Sequence, residues 1–222
     1  MTVLTNLAYV KQELEQTCSR IGRQAQEVTL IAVTKSVTTE KALEVLDAGL
    51  LHLGENRNEG LLAKYEEIGS RAIWHFIGSL QTRKVKDIIN IVDYIHSLDR
   101  LSLAAEIQKR ATKRIRCFVQ VKTSAEEAKQ GISPSEALDF IKQLAIYDKI
   151  EVVGLMTMAP YTENTSEIRH CFRQLKELQL QVQAQELPHA PCHELSMGMS
   201  NDFSIAVEEG ATFIRLGTIL VK

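Results

Sequence analysis

The sequence predicts a single (β/α)8 barrel. Three observations carry that expectation. Eight short runs rich in apolar and β-branched residues recur along the chain, helix-patterned segments separate them, and no Pro/Gly/Ser-rich linker interrupts the alternation. The runs are "TLIAVTK", "LLHLGEN", "AIWHFIGS", "DYIHSLD", "IRCFVQV", "IEVVGLMTM", "CHELSMG" and "TFIRLGT". Strands alternating with helices form a parallel sheet covered by helices, and eight such strands match a closed barrel. An open, doubly wound sheet would show the same alternation.

Taken in order, the first element is an N-terminal run with Leu4, Leu7, Tyr9, Val10 and Leu14 at helical spacing. It predicts a helix over about residues 2–21. Later helices are expected in "TTEKALEVLDAG", "NEGLLAKYEEIG", "RKVKDIIN", "RLSLAAEIQKRATK", "SPSEALDFIKQLAIY", "NTSEIRHCFRQLKELQLQVQAQ" and "NDFSIAVEEG". Thr38 and Ser133 stand where helix caps belong, and Pro134 suits a first helical position. Gly49, Gly69 and Gly210 fall at helix ends, where a positive φ is common. The eighth strand is followed only by "GTILVK", which leaves no eighth outer helix. The N-terminal helix is expected to pack on the barrel there, with residues 1–222 forming one domain.

Composition bounds the function classes. A chain of 222 residues can bury one large core, and 45% hydrophobic with 24% charged residues is ordinary for a globular protein. A formal net charge of -2 builds in no attraction to nucleic acid or to an anionic membrane. Cys18, Cys117, Cys171 and Cys192 are widely spaced, which fits buried thiols rather than a disulfide scaffold or zinc site. The six histidines show no metal-ligand spacing, so no metal is expected. The N-terminus has no uninterrupted apolar core of a signal or membrane segment, and a cytoplasmic location is expected.

In a barrel, chemistry collects at the C-terminal ends of the strands. There the sequence offers Lys35 after the first strand and "LSMGMSND" and "RLGT" around the last two. Ser200 is expected to cap the helix that follows, turning that helix start into an anion site. Gly217 would permit close backbone approach, and Thr218 adds a hydroxyl. Together they point to a phosphorylated ligand. A lysine ending a buried strand is most often a snorkelling side chain. In a half-dry pocket beside a phosphate site it can instead be the amine that takes an aldehyde. That fits either pyridoxal 5'-phosphate or a sugar-phosphate carbonyl. His75, between Trp74 and Phe76, reads equally as a satisfied core histidine or a ligand contact, and Met156 reads as packing.

The segments "IAVTKSV", "LGENRNE", "WHFIGSLQTRKVKDI", "GLMTMAP" and "LSMGMSNDFSIAVEEGATFIRLGT" resemble the YggS/PROSC family of pyridoxal phosphate homeostasis proteins along nearly the whole chain. The resemblance implies a fold-type III barrel, similar to the N-terminal domain of alanine racemase but without its C-terminal β-domain. It implies that Lys35 carries pyridoxal 5'-phosphate as a Schiff base, and that Ser196, Ser200, Gly217 and Thr218 bind the phosphate. Arg215 would face the pyridine nitrogen, and Asn56, His75 and Met156 would line the pocket.

The family implies a cofactor-holding role in vitamin B6 and amino/keto acid homeostasis without established turnover, with PLP-dependent apoenzymes as possible recipients. A monomer is favoured because the racemase domain that makes one dimer contact is not expected. Two enzymatic readings stay open at this stage. A racemase-like enzyme needs a second acid/base, for which Tyr161 is the one tyrosine near a strand end. A Schiff-base aldolase acting on a phosphorylated sugar would use the same lysine and phosphate site.

Overall fold

The computed structural model describes residues 2–124 and 130–222. Helix α1 (Val3–Arg20) leads into β1 (Thr29–Val33), α2 (Thr39–Asp47), β2 (His52–Glu55), α3 (Asn58–Ile68) and β3 (Ile73–Phe76). There follow α4 (Val85–Ile88), β4 (Tyr94–Leu98), α5 (Leu101–Arg110), β5 (Ile115–Gln120), α6 (Pro134–Gln143) and β6 (Ile150–Met156). The chain ends with α7 (Thr165–Gln183), β7 (Glu194–Ser196), α8 (Phe203–Glu208), β8 (Phe213–Leu216) and α9 (Thr218–Val221). The strands close in sequence order, with β1 paired to both β2 and β8 and every pairing parallel. The expected barrel, rather than the open sheet, is the fold.

Side chains of a strand alternate between its two faces, and here the alternation splits the core in two. Leu53, Trp74, Ile95, Cys117, Val119, Leu155, Leu195 and Ile214 belong to the large apolar layer between strands and helices. Ile31, Tyr94, Phe118, Met156 and Phe213 form a small separate cluster within the barrel. The same inner register carries His75, His96, Ser196 and Arg215, all buried. An interior filled with so much polar matter requires hydrogen-bond partners for each group.

The outer elements obey local chemistry. Thr38 caps α2 by accepting from the Lys41 N–H at 3.4 Å, and Pro134 opens α6. Ser133 holds the cap position of α6 but bonds Glu136 through its side chain instead of the helix backbone. Gly49, Gly69 and Gly210 all take positive φ just where their helices stop. The run "RKVKDIIN" makes only a 3-10 turn at Thr82–Lys84 and one turn of α-helix. All four cysteines are buried free thiols, and burial pushes Cys192 up to about 12.

Behind β8 the expected gap holds one helical turn, α9. Helix α1 lies against α8 and α9 and buries Val3, Leu7, Val10, Leu14 and Cys18. Asn6 Nδ2 donates to the Leu220 carbonyl at 3.1 Å. Arg23 donates to the carbonyls of Val207 and Ala211 at 2.9 and 3.1 Å, clamping the end of α1 to the α8 region. Leu4 and Tyr9, expected on the packing face, are exposed instead. At 100° per residue they fall off the stripe that Val3, Leu7 and Val10 define.

Removing buried methyl groups from this stripe should destabilise the whole fold. Leu14→Ala is expected to cost about 2–5 kcal/mol, and Leu4→Ala to stay within about 0.5 kcal/mol. Urea denaturation of the two variants beside the parent checks both.

Candidate functional site

At the C-terminal ends of the strands the barrel opens into a cavity of about 430 Å³, a size suited to a small molecule. Val33 and Lys35 line it from β1 and the turn beyond, Asn56 from the end of β2, and Ile77, Gly78 and Ser79 from the end of β3. Gln120, Gln130 and Met158 close the β5–β6 side. Met199, Ser200, Asn201 and Asp202 follow β7, and Arg215, Gly217 and Thr218 complete the wall at β8.

Lys35 sits in a turn closed by the Val37 N–H donating to the Thr34 carbonyl at 3.1 Å. Thr34 is held twice. Its N–H donates to the Gly54 carbonyl at 3.0 Å, and its hydroxyl donates to Glu55 Oε1 at 2.6 Å. Glu55 in turn pairs with Lys64 of α3 at 3.0 Å, with both side chains buried. Such a pair adds little net stability, but each charge depends on the other. The turn bearing Lys35 is thus fastened to β2 and α3 by a buried ion pair. Lys35 itself is exposed. The half-dry setting expected for it is absent because the chain has turned out to the cavity rim by that position.

Gly78 brings the end of β3 onto the end of β2. A Cβ there would lie 2.2 Å from the Asn56 carbonyl oxygen, so only glycine permits the approach that sets Asn56 in the wall. Gly217 differs. Its φ is -104°, and a Cβ would meet only Val33 at 3.6 Å. Neither backbone nor packing demands glycine there, and the residue lines the cavity.

Arg215 is 4% exposed. Its Nη1 donates to Ser196 Oγ at 2.6 Å and its Nη2 to the Thr157 carbonyl at 2.9 Å, and among the described residues its further N–H groups have no hydrogen-bond partner. Burial pushes its pKa down to about 10, against the opposing charge of Asp202, so it stays a cation at neutral pH. Ser200 does not cap α8. Asp202 takes the cap position, its Oδ1 accepting from the Met199 N–H at 2.5 Å, and Ser200 Oγ accepts from Ile219 N–H at 3.5 Å across to α9. The loop after β7 needs two more residues to turn into the helix than the sequence reading allowed.

Of the residues predicted for the site, Lys35, Asn56, Ser200, Arg215, Gly217 and Thr218 gather around the cavity. His75, Met156 and Ser196 do not line it. Met156 packs with Ile31, Phe118 and Phe213 inside the barrel. The hydroxyl of Ser196 is engaged beneath Arg215, between its guanidinium and His96. All three lie within strands on the inner register, as Arg215 and Gln120 do, but their side chains are taken up by contacts inside the barrel. The reading of single motifs missed Glu55, Lys64 and His96. Histidines at the inner register of three successive strands were the signal for the last.

Those histidines form a line. His96 Nδ1 is 2.8 Å from Ser196 Oγ, His96 Nε2 is 2.9 Å from His75 Nδ1, and His75 Nε2 is 2.9 Å from His52 Nδ1. His75 stacks on Tyr94 with ring centroids 4.4 Å apart, and His96 stacks on Phe118 at 4.3 Å. Burial holds His75 and His96 well below the usual imidazole range, helped in His96 by the Arg215 charge and in His75 by His96.

The family model for the N-terminal domain of alanine racemase matches residues 10–222. A pyridoxal phosphate homeostasis protein of Aquifex aeolicus is 40% identical over 99% of this chain and 97% of its own length. This chain belongs to the pyridoxal phosphate homeostasis protein family. Another member, from Haemophilus influenzae, is 33% identical over 99% of this chain and 95% of its own. The structure is similar to that of PipY from Synechococcus elongatus with PLP bound (32% identity, TM-score 0.83, covering 95% of this chain and 100% of PipY). It is also similar to a crystal structure of a protein from Bifidobacterium adolescentis (30% identity, TM-score 0.94, covering 98% and 94% of the two chains). Alanine racemase of Corynebacterium glutamicum shares the fold at 14% identity and TM-score 0.73, with 98% of this chain matching 60% of the racemase. Among the described residues no group of histidine, cysteine and acidic side chains could hold a metal ion. No described helix is long and apolar enough to cross a membrane.

Lys64→Ala would leave Glu55 buried without its partner, and the expected loss is about 3–5 kcal/mol by chemical denaturation. Stability should also fall with acid. The unfolded chain binds protons at its histidines below about pH 6.5, while folded His75 and His96 stay neutral. Each then removes up to about 1.4 kcal/mol per pH unit as pH drops further. Urea midpoints at pH 7 and pH 5 should show the decline, and a flat profile would contradict it.

Proposed function

We propose that this chain binds pyridoxal 5'-phosphate through Lys35 and serves the homeostasis of that cofactor and of the amino and keto acids it handles. The observation that carries the reading is the convergence of Lys35, Arg215, Ser200 and Thr218 on one cavity of about 430 Å³. The bound form of the Synechococcus relative supports the same cofactor.

Pyridoxal phosphate supplies an aldehyde, and Lys35 is the primary amine in the wall able to take it. Ser200, Thr218 and Gly217 stand together at the β7 and β8 loops, where barrels commonly hold phosphate. Arg215 keeps N–H groups beyond those given to Ser196 and Thr157 and would donate one to the ring nitrogen. A permanent cation in that place keeps the nitrogen an acceptor, a weaker electron sink than a pyridinium. Asn56 borders the same space.

This arrangement suits holding the cofactor better than turning over a substrate. Racemisation needs a proton donor on each face of a planar carbanion. Tyr161 is 93% exposed and is not part of the cavity wall, and no described tyrosine lines it. The reading extends to a cytoplasmic monomer that releases the cofactor to PLP-dependent apoenzymes, with no nucleic acid or membrane partner.

The protein incubated with pyridoxal phosphate should absorb in the visible, and borohydride should fix the cofactor to the peptide containing Lys35. Lys35→Ala should lose that label completely while retaining the fold by circular dichroism. A label elsewhere, or none, would sink the proposal. Size-exclusion chromatography with light scattering checks the monomer.

A further inference from the structure

The histidine line below the cavity has a chemical polarity that can be read from one end. Arg215 can only donate, so Ser196 Oγ accepts from it at 2.6 Å. Among the described residues the other partner of that hydroxyl is His96 Nδ1, at 2.8 Å. The serine proton therefore goes to His96 Nδ1, which must be bare. A neutral imidazole with a bare Nδ1 carries its proton on Nε2. That proton points at His75 Nδ1 2.9 Å away, and the same reasoning passes through His75 to His52 Nδ1, again at 2.9 Å. All three rings are set to the Nε2–H form by one guanidinium.

The line crosses the barrel. It starts at Arg215 on β8, passes Ser196 on β7, and reaches His96, His75 and His52 on β4, β3 and β2. His52 is the first residue of its strand and is half-buried, so the line ends toward the face opposite the cavity. Around His52 stand His75 and the ring of Phe213, with Arg116 and Asp93 acting through their charges. Barrel interiors are normally packed with branched apolar side chains. Two buried rings and a half-buried one in a hydrogen-bonded file are costly unless every buried atom is satisfied, and a satisfied file is stiff and cooperative.

We propose that His52, His75 and His96 are positioning residues for the cavity, a tautomer-locked relay that fixes Ser196 as the acceptor for Arg215 and so aims the guanidinium at the ring nitrogen of the bound cofactor. The aim toward that nitrogen rests on the function proposed above; the lock itself does not. A ring turned to Nδ1–H anywhere in the file forces the rings above it to the same form and makes His96 a donor to Ser196. The serine hydroxyl would then hold two donors and its own proton would lose its acceptor, leaving Arg215 less firmly held.

Nuclear magnetic resonance of histidine- and arginine-labelled protein without cofactor tests the lock directly. Long-range ¹H–¹⁵N correlations should show His52, His75 and His96 neutral with the proton on Nε2 at pH 7. His170, His189 and His193 lie outside the file and serve as internal references. His52→Gln, at the half-buried end, should shift the His96 nitrogens and the Arg215 side-chain resonances although it touches neither. With pyridoxal phosphate added, the same variant should move the cofactor absorption maximum while borohydride labelling of Lys35 persists.

A merely structural file would lower the melting temperature of His52→Gln and leave the His96, Arg215 and cofactor signals in place, which overturns the proposal. An Nδ1–H or protonated ring in the parent at pH 7 overturns it too, without need of any variant. If no cofactor binds to the parent, the function proposed above fails, and the apo resonances still decide the lock.

Discussion

A guanidinium buried at the floor of the cavity organises the interior of this barrel. Arg215 lies on the inner register of β8, out of reach of bulk water, and a cation there must be met by acceptors held in place. The Thr157 carbonyl and Ser196 hydroxyl meet it. Each of these is fixed further out, Thr157 by its hydroxyl donating to Val121 O at 2.8 Å and Ser196 by His96. A hydrogen bond to a charged group contributes roughly 1.5–3 kcal/mol, so losing either acceptor would be felt through the strands that carry them. The aromatic packing of Tyr94, Phe118 and Phe213 around the imidazoles keeps water from competing.

The rim is governed by a second buried charge pair. Glu55 and Lys64 hold each other, and Glu55 holds the hydroxyl of Thr34, next to Lys35. The lysine can therefore be exposed while the backbone beside it is fastened to β2 and α3. The floor and the rim are built differently. Neutral acceptors hydrogen-bond Arg215 while the Asp202 charge acts on it from the cavity wall, whereas the Glu55–Lys64 pair is internally neutralised and serves only to anchor. Such a division suits a cofactor that must be oriented at its ring yet remain reachable at its aldehyde.

Much of this was legible in the sequence. Eight strand runs, the glycines at helix ends and the Thr38 cap follow from local periodicity and turn chemistry, which depend on neighbours only a few residues away. The gathering of Lys35, Ser200, Gly217 and Thr218 around one cavity was legible because barrel chemistry collects where strands end. Three of the residues fell one level lower. His75, Met156 and Ser196 lie in motifs that border the site, but strand residues two places apart share a face at different heights along the barrel, and a motif does not say which height meets the cavity. Leu4 and Tyr9 were misplaced because an approximate helical spacing does not say which stripe finds a partner.

By itself the sequence determined the order of elements, a parallel sheet covered by helices, and the residue types brought to the strand ends, because each of these rests on short-range patterns. Only the tertiary structure decided that Arg215, Ser196, His96, His75 and His52 form a single file, and that Glu55 meets Lys64 beneath Lys35. The His96–Ser196 contact joins β4 to β7 across a lumen whose width and stagger are set by closure, and the Glu55–Lys64 pair depends on how α3 packs back on β2. No local pattern encodes a distance across a barrel.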